Sequence, residues 1–180
     1  MFEEIDFSSK AYLFAQVFAL AAMLVSIASQ QYKKRKSILI FFIIANLLNT
    51  VHFLLLGAVT GVALSIIGAV RFAVSIFSIK KLWLVFFLLV NTVALYFVFE
   101  GFALSGVSYF AATFIIISTF LKSDHWMRVC IILGASGWLI YGILIGSIVA
   151  ILSNSFFLIS SIIGWYRYVY KKEGTLLFKI

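Results

Sequence analysis

Among the residues able to do chemistry, Arg71 stands most against its surroundings. It interrupts an apolar run over 58–79, with Gly68-Ala69-Val70 before it and Phe72-Ala73-Val74 after it. If that run crosses a membrane, the guanidinium lies about 14 residues in, roughly 20 Å from one end. Inserting an arginine there costs at least ~2.5–3.5 kcal/mol. Two uses fit. Arg71 braces its helix against carbonyls or Asn and Ser side chains of neighbours, or it lines a pathway and attracts an anionic group. No carboxylate lies clearly within an apolar run, so a buried ion pair is not expected.

Asn46, Asn49 and His52 form a second group. The asparagines are three apart and share a helix face, and His52 lies about 60° around from Asn49, so the three make a slanted polar stripe. The stripe either faces a cavity or bonds neighbouring helices, at typically ~0.6 kcal/mol per bond. A titrating His52 would be a candidate for proton coupling. Asn91, Ser153, Ser155, Ser160 and Ser161 read as helix-contact residues. His125 reads as solvated, in a charged connection with Asp124 and Arg128.

Catalytic readings fare worse. Gly134-Ala135-Ser136-Gly137 matches the Gly-x-Ser-Gly of rhomboid proteases, whose serine is activated by a histidine on a later helix; here His52 and His125 both precede it. Small residues at a helix contact explain the glycines more simply. No ligand cluster supports a metal, the single Cys130 has apolar neighbours, and no cofactor is expected. The chain is not expected to be an enzyme.

The elements that must position these residues are membrane helices. Apolar residues make up 64 % of the chain and charged residues 11 %, against about 25 % charged in soluble domains. A span needs about 20 apolar residues. Charges punctuate runs at 11–31, 37–56, 58–79, 82–99, 102–121, 126–145 and 147–170, which predicts an all-α protein of seven transmembrane helices in a lipid bilayer. Lys33, Lys34, Arg35, Lys36, Lys80, Lys81, Lys122, Arg128, Arg167, Lys171, Lys172 and Lys179 fall on one side, and Lys10 alone on the other with Glu3, Glu4, Asp6 and Glu100. That bias makes the first side cytoplasmic, with the N-terminus outside and the C-terminus inside. It also accounts for the net charge of +8 without nucleic acid. The acidic N-terminus argues against a cleaved signal peptide.

A shift of 89 residues superposes the first three spans on the last three: Gly57 on Gly146, Ser29 on Ser118, Lys33 on Lys122. The same shift carries Asn49 onto Trp138, His52 onto Tyr141 and Ser65 onto Asn154. Three helices end on the side opposite their start, so a parallel repeat needs one extra crossing, supplied by span four. The expected organisation is an outer segment 1–10, a bundle 11–79, a linker helix 80–100, a second bundle 101–170 and a cytoplasmic tail 171–180. Parallel repeats place a transporter's site between the halves near mid-membrane. Proline is absent, so adaptability would fall to glycines such as Gly61, Gly68, Gly137 and Gly142.

This arrangement resembles the SWEET sugar transporters, the PQ-loop proteins and the PnuC vitamin transporters. More closely, residues 12–170 resemble the small bacterial inner-membrane proteins called YgjV, through His52-Phe53-Leu54-Leu55-Leu56-Gly57 followed by Arg71, through Gly146-Ser147-Ile148, and through Trp165-Tyr166-Arg167. The resemblance implies a SWEET-like 3+1+3 fold in the bacterial inner membrane. SWEET-like pockets use Asn on the third helix of a repeat and Trp on the second, and Asn154 and Trp138 occupy those places; Ser65, where the first repeat would carry Asn, departs. SWEET proteins hinge at prolines that this chain lacks, and Trp138 has no partner for the Trp-x-x-Trp of PnuC, so neither substrate is carried over. The expectation is a transporter of a polar metabolite, sugar- or vitamin-like, neutral with apolar edges, bound by Asn46, Asn49, His52, Ser65, Arg71, Trp138, Tyr141 and Asn154. The competing expectation is a non-transporting membrane scaffold or partner subunit; a homodimer is compatible with either.

Overall fold

A chain without proline, rich in Leu, Ile, Val, Phe and Ala, satisfies its backbone polar groups within helices when water is excluded. The computed structural model describes residues 10–55, 59–97, 101–144 and 148–170. These form seven α-helices: α1 Lys10–Ser29, α2 Arg35–Leu55, α3 Val59–Phe77, α4 Lys81–Phe97, α5 Phe102–Phe120, α6 Asp124–Leu144 and α7 Ile148–Trp165, which runs on into a π-helical turn, Tyr166–Tyr170. The glycine turns expected at Gly57-Ala58 and Gly146, the acidic residues Glu3, Glu4, Asp6 and Glu100, and the tail 171–180 lie outside the described residues. Four helices, α1, α2, α5 and α6, are long and apolar enough to cross a membrane, and the apolar stretches Leu64–Phe77 and Lys81–Phe97 are shorter. Seven spans were expected; the chain has all seven helices, and four meet the length and hydropathy of a full crossing.

The helices carry their apolar faces outward. On α1, Leu13, Phe14, Val17, Leu20 and Leu24 are 54–63 % exposed, while Ala15, Ala22 and Ser29, seven apart, are buried. A soluble helix does the reverse. Here large side chains meet lipid, and small ones let backbones approach. The α5–α6 seam shows how closely: a Cβ on Gly137 would sit 2.8 Å from Ala111 Cβ, and one on Gly134 would sit 3.0 Å from the Ala111 carbonyl oxygen. Ser136 Oγ donates to the Ile132 carbonyl, 2.9 Å away, so the Gly-x-Ser-Gly stretch lies along a packing seam.

Chain neighbours pack as α1–α2–α3 and α5–α6–α7, with α4 against α5; the two groups meet where α1 touches α7 and where α3 touches α5. In each case the first helix of one triplet meets the third helix of the other. The main apolar core lies across both triplets: Ile38, Leu39 and Phe42 of α2, Phe72 of α3, and Met127 and Ile131 of α6. Phe42 stacks on Phe72 with ring centroids 4.9 Å apart. A smaller cluster joins Phe87 of α4 to Ile116 and Phe120 of α5. Both clusters include residues near the end of the bundle that carries Lys33–Lys36, Lys80, Lys81 and Lys122, hereafter the basic end.

Candidate functional site

Beyond the main core, away from the basic end, residues of α2 to α7 line a cavity of about 840 Å³. Its walls follow helical spacing. Asn46, Asn49 and Phe53 come from α2; Leu64, Ser65, Ile67, Gly68 and Arg71 from α3; Phe87, Val90, Asn91, Ala94 and Leu95 from α4. Ser105, Ser108, Tyr109, Ala112 and Ile116 come from α5, Trp138 and Tyr141 from α6, and Ser153 and Asn154 from α7. Residues 89 apart face the same space: Asn49 and Trp138, Leu64 and Ser153, Ser65 and Asn154. The volume is within the ~300–1,000 Å³ of small-molecule sites.

Seven of the eight expected site residues line this cavity: Asn46, Asn49, Ser65, Arg71, Trp138, Tyr141 and Asn154. His52 does not. Its Nδ1 lies 2.8 Å from the Ala15 carbonyl oxygen, tying α2 to α1. The offset from Asn49 that made the stripe slant turns His52 away from the cavity and into the α1–α2 seam. Asn91, expected as a packing residue, is a wall residue, with Nδ2 3.4 Å from Thr113 Oγ1. Tyr109 is another, its hydroxyl 3.0 Å from Thr92 Oγ1. An amide on a largely apolar helix was the available signal for Asn91.

The polar groups divide into committed and free. Asn46 Nδ2 donates to the Phe42 carbonyl at 2.8 Å, and its Oδ1 lies where a Cβ on Gly68 would be, 2.5 Å away. Asn154 Nδ2 donates to the Trp138 carbonyl at 3.3 Å, joining α7 to α6. Trp138 and Tyr141 meet edge to face with centroids 5.6 Å apart. Arg71 differs. Its guanidinium carbon lies 4.8 Å from the Phe72 ring centroid, and its buried Nε has no hydrogen-bond partner.

Two other arginines have carbonyl partners that the sequence did not reveal. Arg128, which by sequence belongs with the basic connections, is 1 % exposed. It donates to the Gln30 carbonyl at 3.0 Å and the Tyr32 carbonyl at 2.5 Å, just past the end of α1, and stacks over Tyr168 at 5.1 Å. Arg35 donates to the Ser75 carbonyl through both terminal nitrogens at 3.2 Å, and to the Thr119 carbonyl, near the ends of α3 and α5. Helix C-termini leave carbonyls unpaired and carry partial negative charge, so a guanidinium satisfies both. One acceptor of each bridge is the repeat counterpart of the other, Gln30 and Thr119 being 89 apart, while Ser75 corresponds to Gly164, where an added Cβ would lie 2.8 Å from an Arg128 terminal nitrogen. Each arginine thus bridges the two triplets at the basic end. Tyr168, whose hydroxyl donates to the Gln31 carbonyl, and Gln31, whose Nε2 lies 2.9 Å from Ser160 Oγ, add further α1–α7 links there.

Comparison with curated proteins and with solved structures found no match. A family model, Imp-YgjV, described as a bacterial inner membrane protein, matches residues 13–172. That span takes in every described helix apart from the first turn of α1, the cavity walls and both arginine bridges, and its location agrees with helices that turn apolar faces outward: the chain belongs to the Imp-YgjV family of bacterial inner membrane proteins.

Proposed function

We propose that this protein carries a small polar solute across the bacterial inner membrane by alternating access. In this reading all seven helices span, α1–α3 and α5–α7 are parallel three-helix units in a SWEET-like 3+1+3 arrangement, and α4 is both the inverting crossing and a wall of the site. The basic end is cytoplasmic by the excess of Lys and Arg there, with the N-terminus outside. The observation that carries the proposal is the cavity between the triplets, with polar residues from both repeats on its walls. The packed core and the two arginine bridges support a state closed toward the cytoplasm, the cavity lying on the other side of that closure.

The roles follow from chemistry. Trp138 and Tyr141 offer aromatic surface, Asn49, Asn91 and Asn154 offer amides, and Ser65 a hydroxyl. Movement of one triplet against the other exposes the site to the second side once the bridges at the basic end part. The test is flux in proteoliposomes holding the purified protein, with solutes chosen by a thermal-stability screen. Saturable uptake that falls severalfold in Asn154→Ala and in Trp138→Ala is expected. Absence of flux for every stabilising solute, with stable co-purification of another membrane protein, would replace the carrier by the scaffold reading.

A further inference from the structure

The charge of the solute follows from what Arg71 lacks. A guanidinium inside a membrane protein is ordinarily matched by a carboxylate or by backbone carbonyls. Arg35 and Arg128 show the second solution, each with carbonyl partners. Arg71 has neither: no hydrogen bond or ion pair reaches it among the described residues, and its guanidinium carbon stands 4.8 Å from the Phe72 ring centroid. Asp124 is the one acidic side chain among those residues; it stands in the first turn of α6 at the basic end and is not on the cavity wall. The other charged wall groups therefore number none on the described surface, where the remaining polar residues are Asn, Ser, Tyr and Trp.

The second repeat sharpens the contrast. The counterpart of Arg71 is Ser160, 89 residues on. Its hydroxyl donates to the Ile27 carbonyl at 2.8 Å and closes the α7–α1 seam. On the α3 side a longer, charged side chain borders open space instead. Fixed positive charge in a low-dielectric cavity attracts an anion and repels a cation.

We propose that the cavity binds a small solute carrying one carboxylate or phosphate group, which Arg71 engages. This rests on the carrier reading of the same cavity and replaces a neutral solute by an anionic one. The fork of a guanidinium suits the paired oxygens of either group. The aromatic pair Trp138–Tyr141 suits a compact solute with an apolar face.

Matched probes test it: benzoate against benzamide, glycerol 3-phosphate against glycerol, and inorganic phosphate, each titrated against the thermal unfolding of purified protein in neutral detergent. A parallel arm adds phosphatidylglycerol, because a lipid headgroup offers the same phosphate chemistry. At least one soluble anion is expected to stabilise the protein where its neutral partner does not, with affinity reduced at least about tenfold in Arg71→Gln and less in Arg71→Lys. Arg71→Lys, which keeps the charge but not the fork, is expected to retain a preference for the anion at reduced affinity, and it stands in if Arg71→Gln does not fold; undiminished affinity in Arg71→Lys overturns the bidentate engagement. Equal binding of a neutral partner, undiminished in Arg71→Gln, overturns the anion assignment and leaves the carrier standing. Stabilisation by phosphatidylglycerol alone, or by no probe, overturns it as well, while flux remains a separate measurement.

Discussion

Three of the four arginines of this small protein meet two different fates, set by what lies within reach of the guanidinium. Arg128 and Arg35 enter near helix C-termini and find carbonyls; Arg71 enters among side chains and finds a cavity. Position in an apolar run made Arg71 conspicuous in the sequence. Arg128, close to charged neighbours, looked like an ordinary loop residue, because sequence does not show which helix end folds over it. His52 is the opposite case. Spacing alone put it beside Asn49, but a 60° turn is enough to move a side chain from a cavity wall to a seam. As a seam residue, His52→Ala is expected to lose its link to Ala15 and about 0.6–1.7 kcal/mol of stability, read from thermal unfolding in detergent. A loss within error would mean that the bond to α1 contributes nothing. At the cavity wall, Asn154→Ala breaks the tie to Trp138 and is expected to weaken solute stabilisation severalfold. An unchanged response would remove α7 from the site.

At the scale of elements, small residues set how near helices come, and glycines of one type have opposite consequences. Gly137 has no room: a Cβ there would meet Ala111 Cβ at 2.8 Å and Ala111 Cα at 3.1 Å. Gly106, on α5, has nothing within 4 Å. Gly137→Ala is therefore expected to destabilise by about 1–3 kcal/mol through overpacking. Gly106→Ala is expected to be neutral or to gain up to about 1 kcal/mol from helix propensity. Thermal unfolding of the two variants side by side checks this; equal shifts would mean the α5–α6 seam is looser than the contacts imply. Helix positions were legible because charges mark both edges of each apolar run: the described ends of α1 to α6 lie within two residues of the expected spans, and only α7 ends early, in the π-helical turn. The part played by α4 was not legible. The repeat accounts for it as a connector, and repeat arithmetic carries no information about an element with no counterpart. Packing against α5 is what brings Asn91 to the wall.

For the molecule as a whole, the two ends of the bundle are built differently. The 89-residue shift pairs one acceptor of each bridge, Gln30 with Thr119, yet it does not pair the donors, since Arg35 corresponds to Asp124 and Arg128 to Leu39. Comparing the halves of the sequence could not find bridges whose repeat relation is a single pair of backbone carbonyls. Charge-assisted bonds of this kind contribute about 1.5–3 kcal/mol each. Removing one loosens the closure, and the consequence is directional. Ile131, 1 % exposed in the core beside the basic end, reports it as Ile131→Cys in a Cys130→Ala background. With both arginines present, a membrane-impermeant maleimide is expected to leave that cysteine unlabelled from either face. Adding Arg128→Gln is expected to speed labelling several-fold in inside-out vesicles and not in right-side-out ones, with Arg35→Gln acting the same way through Thr119. Labelling from the other face would reverse the assigned orientation. Labelling that ignores both substitutions would mean that the apolar core closes this end without the arginines, leaving them as anchors of helix ends and no part of a gate.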